Sequence, residues 1–388
     1  MDRKAIAEIR KLLTKSGCRI DKLAGCFVSE DGEVIAELKE TFHALPEEEA
    51  EGYLDLLKRV LSGKPGRNLF EMEFPLSEEQ AGGRQAKLYS LLRSDHKDSA
   101  QLAEFFGRLV STLDRAGRHL ILLARGTYDI PSKASDGTEM EDASDYVYEF
   151  LVCAVCPVTE ISEGLCYDAQ TLHFVSKKSD LGVQAPVLGF LYPAFNDRLP
   201  DIHQILYYAK NEDERHIELI DEIVGAEEIP QTQSMQQDSF TDLVEQTLGR
   251  HCDFDTVKLL TETVNEMISE EKDSPDPLEL GAQQMRRILK DSCADAPDTV
   301  EENFERVFNN TIGEGRSVAA DNIGGRSVME IKSPSVKITV KSDMTALITT
   351  RILDGREFLL IPVQDDIEVN GIRILPRTFR GADAGDEE

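Results

Sequence analysis

The stretch Leu23-Ala24-Gly25-Cys26-Phe27-Val28-Ser29-Glu30-Asp31-Gly32-Glu33-Val34-Ile35-Ala36-Glu37-Leu38 decides the class of fold. Two strand-like runs, 23–28 and 33–38, flank an Asp-Gly pair, which supplies the positive φ angles that a tight hairpin turn needs. Strands joined so closely pair antiparallel, because a parallel pair requires a crossover of about a dozen residues or more. The chain therefore predicts an α+β fold, an antiparallel-rich mixed sheet with helices, rather than a doubly wound parallel sheet.

Further runs of strand length lie at 69–74, 120–127, 146–158, 187–195 and 202–209. Helical stripes alternate with them: Ile6, Ile9, Leu12 and Leu13; Tyr53, Leu54, Leu57, Val60 and Leu61 behind Pro46 and three glutamates; and Leu102, Phe105, Phe106, Leu109, Val110 and Leu113. Each has the 3–4-residue spacing of one buried helix face, and Pro followed by acids suits a helix start. Residues 1–210 thus read as one α+β domain. From 213 onward the stripes are helical only, with connectors at 229–237 and 272–277, so 211–312 reads as an acidic helical region. The Gly/Ser/Ala-rich stretch that follows reads as a linker over 313–326. Beyond it, Asp354-Gly355 and Asn370-Gly371 each sit between β-rich runs and predict hairpins, making 327–377 a small antiparallel β module. Residues 378–388, of which the last eight carry four acids and nothing apolar beyond alanine, read as a disordered acidic tail.

The chain has 388 residues, 43 Lys and Arg against 73 Asp and Glu, and a net charge of -30. With 40% hydrophobic residues it has enough apolar material for real cores despite that charge. Residues 211–312 alone carry 26 acids and 8 bases. Such a balance repels phosphate backbones and argues against nonspecific nucleic-acid binding. No apolar run approaches the length of a membrane span, and the N-terminal residues lack the pattern of a signal peptide, so no membrane association and a cytoplasmic location are expected. Seven thinly spread cysteines fit reduced thiols.

Cys153-Ala154-Val155-Cys156, with Cys166 and His173 downstream, invites a metal or redox reading. Its setting, Phe150 to Val158, is that of a buried strand, where residues three apart point to opposite faces. The thiols are expected to diverge and to be structural, and no metal or cofactor is expected. The acids Asp136, Glu139, Glu141, Asp142 and Asp145 read as a solvated loop whose spacing matches no calcium loop.

Polar groups at the ends of buried strands supply the candidate binding residues. Arg125, Tyr128 and Asp129 follow the run 120–124, and Asn196, Asp197 and Arg198 follow 187–195, with His203 close behind. A carboxylate with a histidine serves general base chemistry, and arginine binds anions; the competing reading of an Asp-Arg pair is a braced turn. No His-x-x-x-His, Gly-x-Ser-x-Gly or phosphate-loop motif occurs, so no catalytic residue is assigned and the enzyme question stays open.

The chain resembles a bacterial family described as a domain of unknown function, numbered 4317. The residues that carry the resemblance are Ala24 to Val28, Leu45 to Glu51, Leu120 to Ala124 with Thr127 to Pro131, Cys156 to Val158, Gly189 to Phe195, Asp197-Arg198 and Glu368 to Gly371. It implies a soluble protein from a low-GC Gram-positive lineage, and no activity or catalytic residue comes with it. The leading expectation is a cytoplasmic multidomain protein that binds or regulates through macromolecular contacts, with a protein partner of unstated identity. The alternatives are a metal-dependent or acid-base hydrolase at the strand ends near Asp129 and Asp197, and a translation- or RNA-associated factor using the β module.

Overall fold

A computed structural model of the chain describes residues 1–113, 117–133, 139–161, 164–168, 173–177, 180–226, 229–272, 274, 278–325, 327–362, 368–369 and 371–374; side chains of 132–145 and 161–180 lie outside that description. The fold is α+β, and the chain divides into two compact units, Met1–Met235 and Gln236–Glu388.

In the first unit the strands are β1 (Ile20–Val28), β2 (Val34–Thr41), β3 (Leu69–Glu73), β4 (Arg118–Lys133), β5 (Glu139–Ile161), β6 (Gly164–Asp168), β7 (His173–Lys177), β8 (Asp180–Val183), β9 (Leu188–Tyr192), β10 (Ala194–Asn196), β11 (Leu199–Asp201) and β12 (Gln204–Ala209). The main sheet runs β2-β1-β4-β5-β9-β12-β3, with β8 beside the far end of β5, and every pairing in it is antiparallel. β6 pairs with β7, and β10 with β11, as separate hairpins. The Asp31-Gly32 turn is as the sequence predicts, with Gly32 at φ 80° and β1 paired to β2.

Five helices cover the sheet: α1 (Arg3–Lys11), α2 (Glu47–Val60), α3 (Arg84–Arg93), α4 (Ser99–Thr112) and α5 (Ile217–Ile223). Alternation along the strands splits the core into two layers. Ile121, Leu123, Leu151, Cys153, Val155 and Phe190 pack with α3, α4 and α5, while Leu122, Ala124, Val152, Ala154, Cys156 and Leu191 pack with α1 and α2. The central strands are therefore apolar on both faces, which is why 120–124 and 150–156 read as unbroken hydrophobic runs. On the α2 side the approach is close: a Cβ at Gly189 would lie 2.4 Å from the Cys153 carbonyl oxygen and 2.9 Å from Val60 Cγ1, so no larger residue fits without displacing the strand or the helix.

The second unit holds α6, which opens at Gln233 (Gln233–Leu248), α7 (Phe254–Glu270), β13 (Glu279–Gly281), α8 (Ala282–Ser292), α9 (Pro297–Thr311), β14 (Ser317–Ala319) and α10 (Ala320–Ile323). Their starts are chemically marked. Asp253 accepts from Thr256 N at 2.8 Å, Gln284 Oε1 accepts from Gly281 N at 2.8 Å, and Pro297 occupies the first turn of α9. Apolar residues of α6 to α9 form one core with Leu280 and Val318. After it come the hairpins β15–β16 (Val328–Lys332, Lys337–Lys341), β17–β18 (Thr349–Leu353, Arg356–Leu360) and β19–β20 (Glu368–Val369, Ile372–Arg373).

Several boundaries differ from those the sequence suggests. The first unit extends past 210 because Leu219, Ile220, Ile223 and Val224 of the α5 segment are buried in its core. Residues 233–237, read as a connector, begin α6. The linker assigned to 313–326 is a working part of the helical unit: Val318 is fully buried, β14 pairs with β13, and Ala320 N donates to the Leu278 carbonyl. The β module is not separate, since Thr345 Oγ1 donates to Glu262, Thr350 Oγ1 to Asp255 and Lys258 Nζ to the Ile348 carbonyl, one face of α7. Nor is 136–145 a loop throughout, because β5 already begins at Glu139, paired with Lys133. Residues 378–388 and Asp136 lie outside the described residues, and no helix among the described residues is long and apolar enough to cross a membrane.

Candidate functional site

The strand-end residues fall into three small networks. Arg125 and Tyr128 are three apart on β4, so they leave the sheet on opposite faces. Arg125 is 8% exposed on the α3 side, where Nε donates to the Leu92 carbonyl at 3.0 Å and Nη2 to Glu149 Oε1 at 3.1 Å. Nη1 lies 3.4 Å from Asp21 Oδ2 and 3.3 Å from Asp95 Oδ1. Thr127 Oγ1 donates to the same Asp21 oxygen at 2.9 Å, and Arg93 is a second cation on Glu149. The guanidinium therefore ties β1, β4 and β5 to the C-terminal end of α3, where a cation satisfies a helix carbonyl left without an intrahelical partner.

Just past that end, Asp95 and His96 take left-handed backbone at φ 54° and 55°. Both ring nitrogens of His96 are buried without a hydrogen-bond partner among the described residues. Burial, reinforced by the Arg125 charge, pushes His96 down to about 4, so the ring is neutral at ordinary pH.

On the α1 side, Tyr128 Oη donates to Glu8 Oε1 at 3.0 Å, and Arg198 holds the other oxygen of Glu8 at 3.3 Å and the Pro131 carbonyl at 3.3 Å. Asp197 and Arg198 are the two central residues of the β10–β11 hairpin, both at positive φ, with Asn196 opposite Leu199. That is the two-residue turn, and its braced role accounts for the pair. Asn196 Nδ2 donates to Glu71 Oε1 at 2.6 Å and Gln204 Oε1 at 2.9 Å. Asp129 and Asp197 are both exposed. His203 pairs with Glu79, and that contact raises its pKa. Tyr128 and Arg198 are thus brought together through Glu8, whereas Arg125 and His203 stand apart from them.

Cys153 and Cys156 face opposite layers, as strand geometry requires. Burial pushes the Cys153 thiol well up and Cys156 to about 12, far from the thiolate that metal ligation or redox chemistry uses. The side chains of Cys166 and His173 lie outside the described residues. No group of three or more His, Cys, Asp or Glu placed to hold a metal ion occurs among the described residues.

A concave feature of the first unit lies elsewhere, in a cavity of about 350 Å³ between α3, α4 and the end of α5. Its floor is Leu88, Leu91, Phe105, Leu109 and Ile223, and its rim carries Arg84, Lys87, Glu104, Arg108 and Glu222. Lys87 meets Glu104 at 3.0 Å, Arg108 pairs with Glu222, and Arg84 holds Glu78 at 2.6 Å. Gln101 also lines it; its amide nitrogen donates to Ser90 Oγ at 3.0 Å, while its buried oxygen has no donor among the described residues. Sequence reading passed over this site because α3 itself was missed and the lining comes from three helices, each contributing a few residues.

A second feature is convex. The register of β17–β18 sets Arg351 opposite Phe358 and Leu353 opposite Arg356, placing all four on one face, with Ile352 and Leu359 on the other. Ile352 is 76% exposed and Phe358 44%. On β15–β16 the outward face carries Lys332, Lys337 and Lys341, while Met329, Ile331, Ile338 and Val340 are half-buried.

The family described as a domain of unknown function (DUF4317) matches residues 1–372, and the chain belongs to it. No curated protein matches the chain.

Proposed function

We propose that this member of the family acts by binding another macromolecule, most directly a protein, through the β17–β18 hairpin. The observation that carries the reading is the exposure of Ile352, Leu353, Phe358 and Leu359 on a two-stranded ladder that buries none of them. Exposed apolar side chains on both faces of one hairpin, Leu353 and Phe358 on one and Ile352 and Leu359 on the other, offer a contact site, and an unpaired strand edge offers main-chain hydrogen bonds to an added strand. Capture from native lysate by the full chain, compared with an Ile352→Ser/Phe358→Ser variant of equal helical content, tests it: a partner recovered by the first and lost with the second supports the reading, and identical capture by both overturns it.

Arg351 and Arg356 beside Phe358, with three lysines on the neighbouring hairpin, favour RNA as the second reading, since cations and an aromatic on one face suit a single strand. The net charge of -30 opposes it. Anisotropy with random-sequence oligonucleotides decides between them. No binding at physiological salt is expected; micromolar, salt-sensitive binding lost in an Arg351→Ala/Arg356→Ala variant would move the assignment to RNA. The cytoplasm of a bacterium is the proposed location, supported by the free thiols at Cys18, Cys26, Cys153, Cys156, Cys252 and Cys293.

A further inference from the structure

We propose that the cavity between α3, α4 and α5 is a binding site for a small carboxylate with an apolar tail, the tail on the floor of the cavity and the carboxylate at the Arg84–Arg108 rim. The site belongs to the first unit and is independent of the hairpin reading. Its volume of about 350 Å³ is within the range of roughly 300–1,000 Å³ typical of small-molecule pockets. The floor supplies two leucines of α3, a phenylalanine and a leucine of α4, and Ile223 from the end of α5, enough to shelter an aliphatic or aromatic tail from water.

The sign of the head group follows from the rim. Each rim cation is already ion-paired, Lys87 with Glu104, Arg108 with Glu222 and Arg84 with Glu78, so the rim carries no excess charge and the sign of the head group rests on spare donors. The guanidiniums have donors to spare. Arg108 uses Nε on the Glu222 carboxylate and Nη2 on the Glu222 carbonyl, and Arg84 uses Nη1 on Glu78 with Nη2 3.5 Å from Asp221. Arg108 Nη1 and Arg84 Nε have no hydrogen-bond partner among the described residues, and a guanidinium with two free N–H groups is suited to a carboxylate.

Gln101 adds an independent sign that the site is incomplete. Its orphaned amide oxygen sits in the wall of the cavity, and buried acceptors in native structures normally have partners. A hydroxyl or amide donor along the tail of a ligand would satisfy it.

Titration calorimetry of the full chain with octanoate and with octylammonium tests the assignment, since the two share a tail and differ in the sign of the head. Saturable one-to-one binding of octanoate is expected, at least about tenfold tighter than octylammonium. Arg108→Gln should weaken octanoate about tenfold, the effect of losing one charge-assisted contact. Because Arg108→Gln also breaks the Glu222 pair, a second variant keeps the test independent of folding: Ala86→Phe fills the half-exposed mouth without removing a contact and should abolish binding with unchanged circular dichroism. No saturable heat with octanoate at millimolar concentration, equal affinity for the two heads, or undiminished binding in the folded Ala86→Phe variant would overturn the proposal.

Discussion

Replacing Arg125 by Met separates a structural clamp from a binding residue. The side chain is 10% exposed, and its guanidinium serves the Leu92 carbonyl and the carboxylates of Asp21, Asp95 and Glu149. Removing one partner of a buried ion pair costs about 3–5 kcal/mol because the remaining charge is stranded. Here the stranded carboxylates keep side-chain exposures of 36, 27 and 24%, so water recovers part of their solvation and the low end applies. A loss of about 3 kcal/mol is expected, with Met preserving the packing of the aliphatic stem. Tyrosine fluorescence during urea unfolding reads this cleanly, since all nine tyrosines lie in the first unit and the chain has no tryptophan. Arg125→Lys should fall between the two, keeping the charge but losing the fork that reaches several acceptors at once. A loss below about 1 kcal/mol for Arg125→Met would refute the clamp and return Arg125 to the list of ligand-binding candidates.

Acid should destabilise the first unit through His96. Its folded pKa is depressed to about 4, so between the unfolded value of about 6.5 and 4 the unfolded chain binds a proton that the folded chain refuses, and stability falls as pH falls. The full effect is about 3 kcal/mol, and His96→Asn, tolerated at positive φ, should flatten the stability profile between pH 6.5 and 4. Cys153→Ala and Cys156→Ala should each cost about 1 kcal/mol and add within about 0.5 kcal/mol, because they pack into separate layers; a larger coupling in a double-mutant cycle would place them in contact. Val318→Asp should melt the helical content of the second unit by putting a charge into its core, and limited proteolysis of the wild type should spare 317–323, where a linker would be cut first.

What the sequence made legible was local. The Asp31-Gly32 and Asp354-Gly355 turns, the strand runs and the helix stripes were each written in a few consecutive residues, and they suffice for the α+β assignment. The parity of a strand also gave the divergence of Cys153 and Cys156. That same three-residue offset separates Arg125 from Tyr128, so the strand-end cluster could have been divided before any coordinates were known. The rest depended on contacts between distant segments. Val318, in a stretch of glycine, serine and alanine, carries no period of its own, yet β13 and the helical core bury it. The Arg125 network draws on residues from 21 to 149, and the cavity needs α5 to close against α3 and α4. His96 gives no signal until its ring is buried.

The order of strands in the sheet has a consequence for synthesis on the ribosome. Once β5 has emerged, β2, β1, β4 and β5 can assemble as neighbours, each next to a strand already made. β3 cannot join them: Leu69 pairs with Tyr208, and the strand between β5 and β3 in the sheet, β9 beside β12, is among the last parts of the unit to appear. At roughly 5–20 residues per second, Phe70 and Met72 wait on the order of ten seconds, with an unpaired strand edge and their side chains uncovered. The nascent chain is thus most exposed to aggregation in this interval, and any pause in translation before β12 has cleared the ribosome would prolong it.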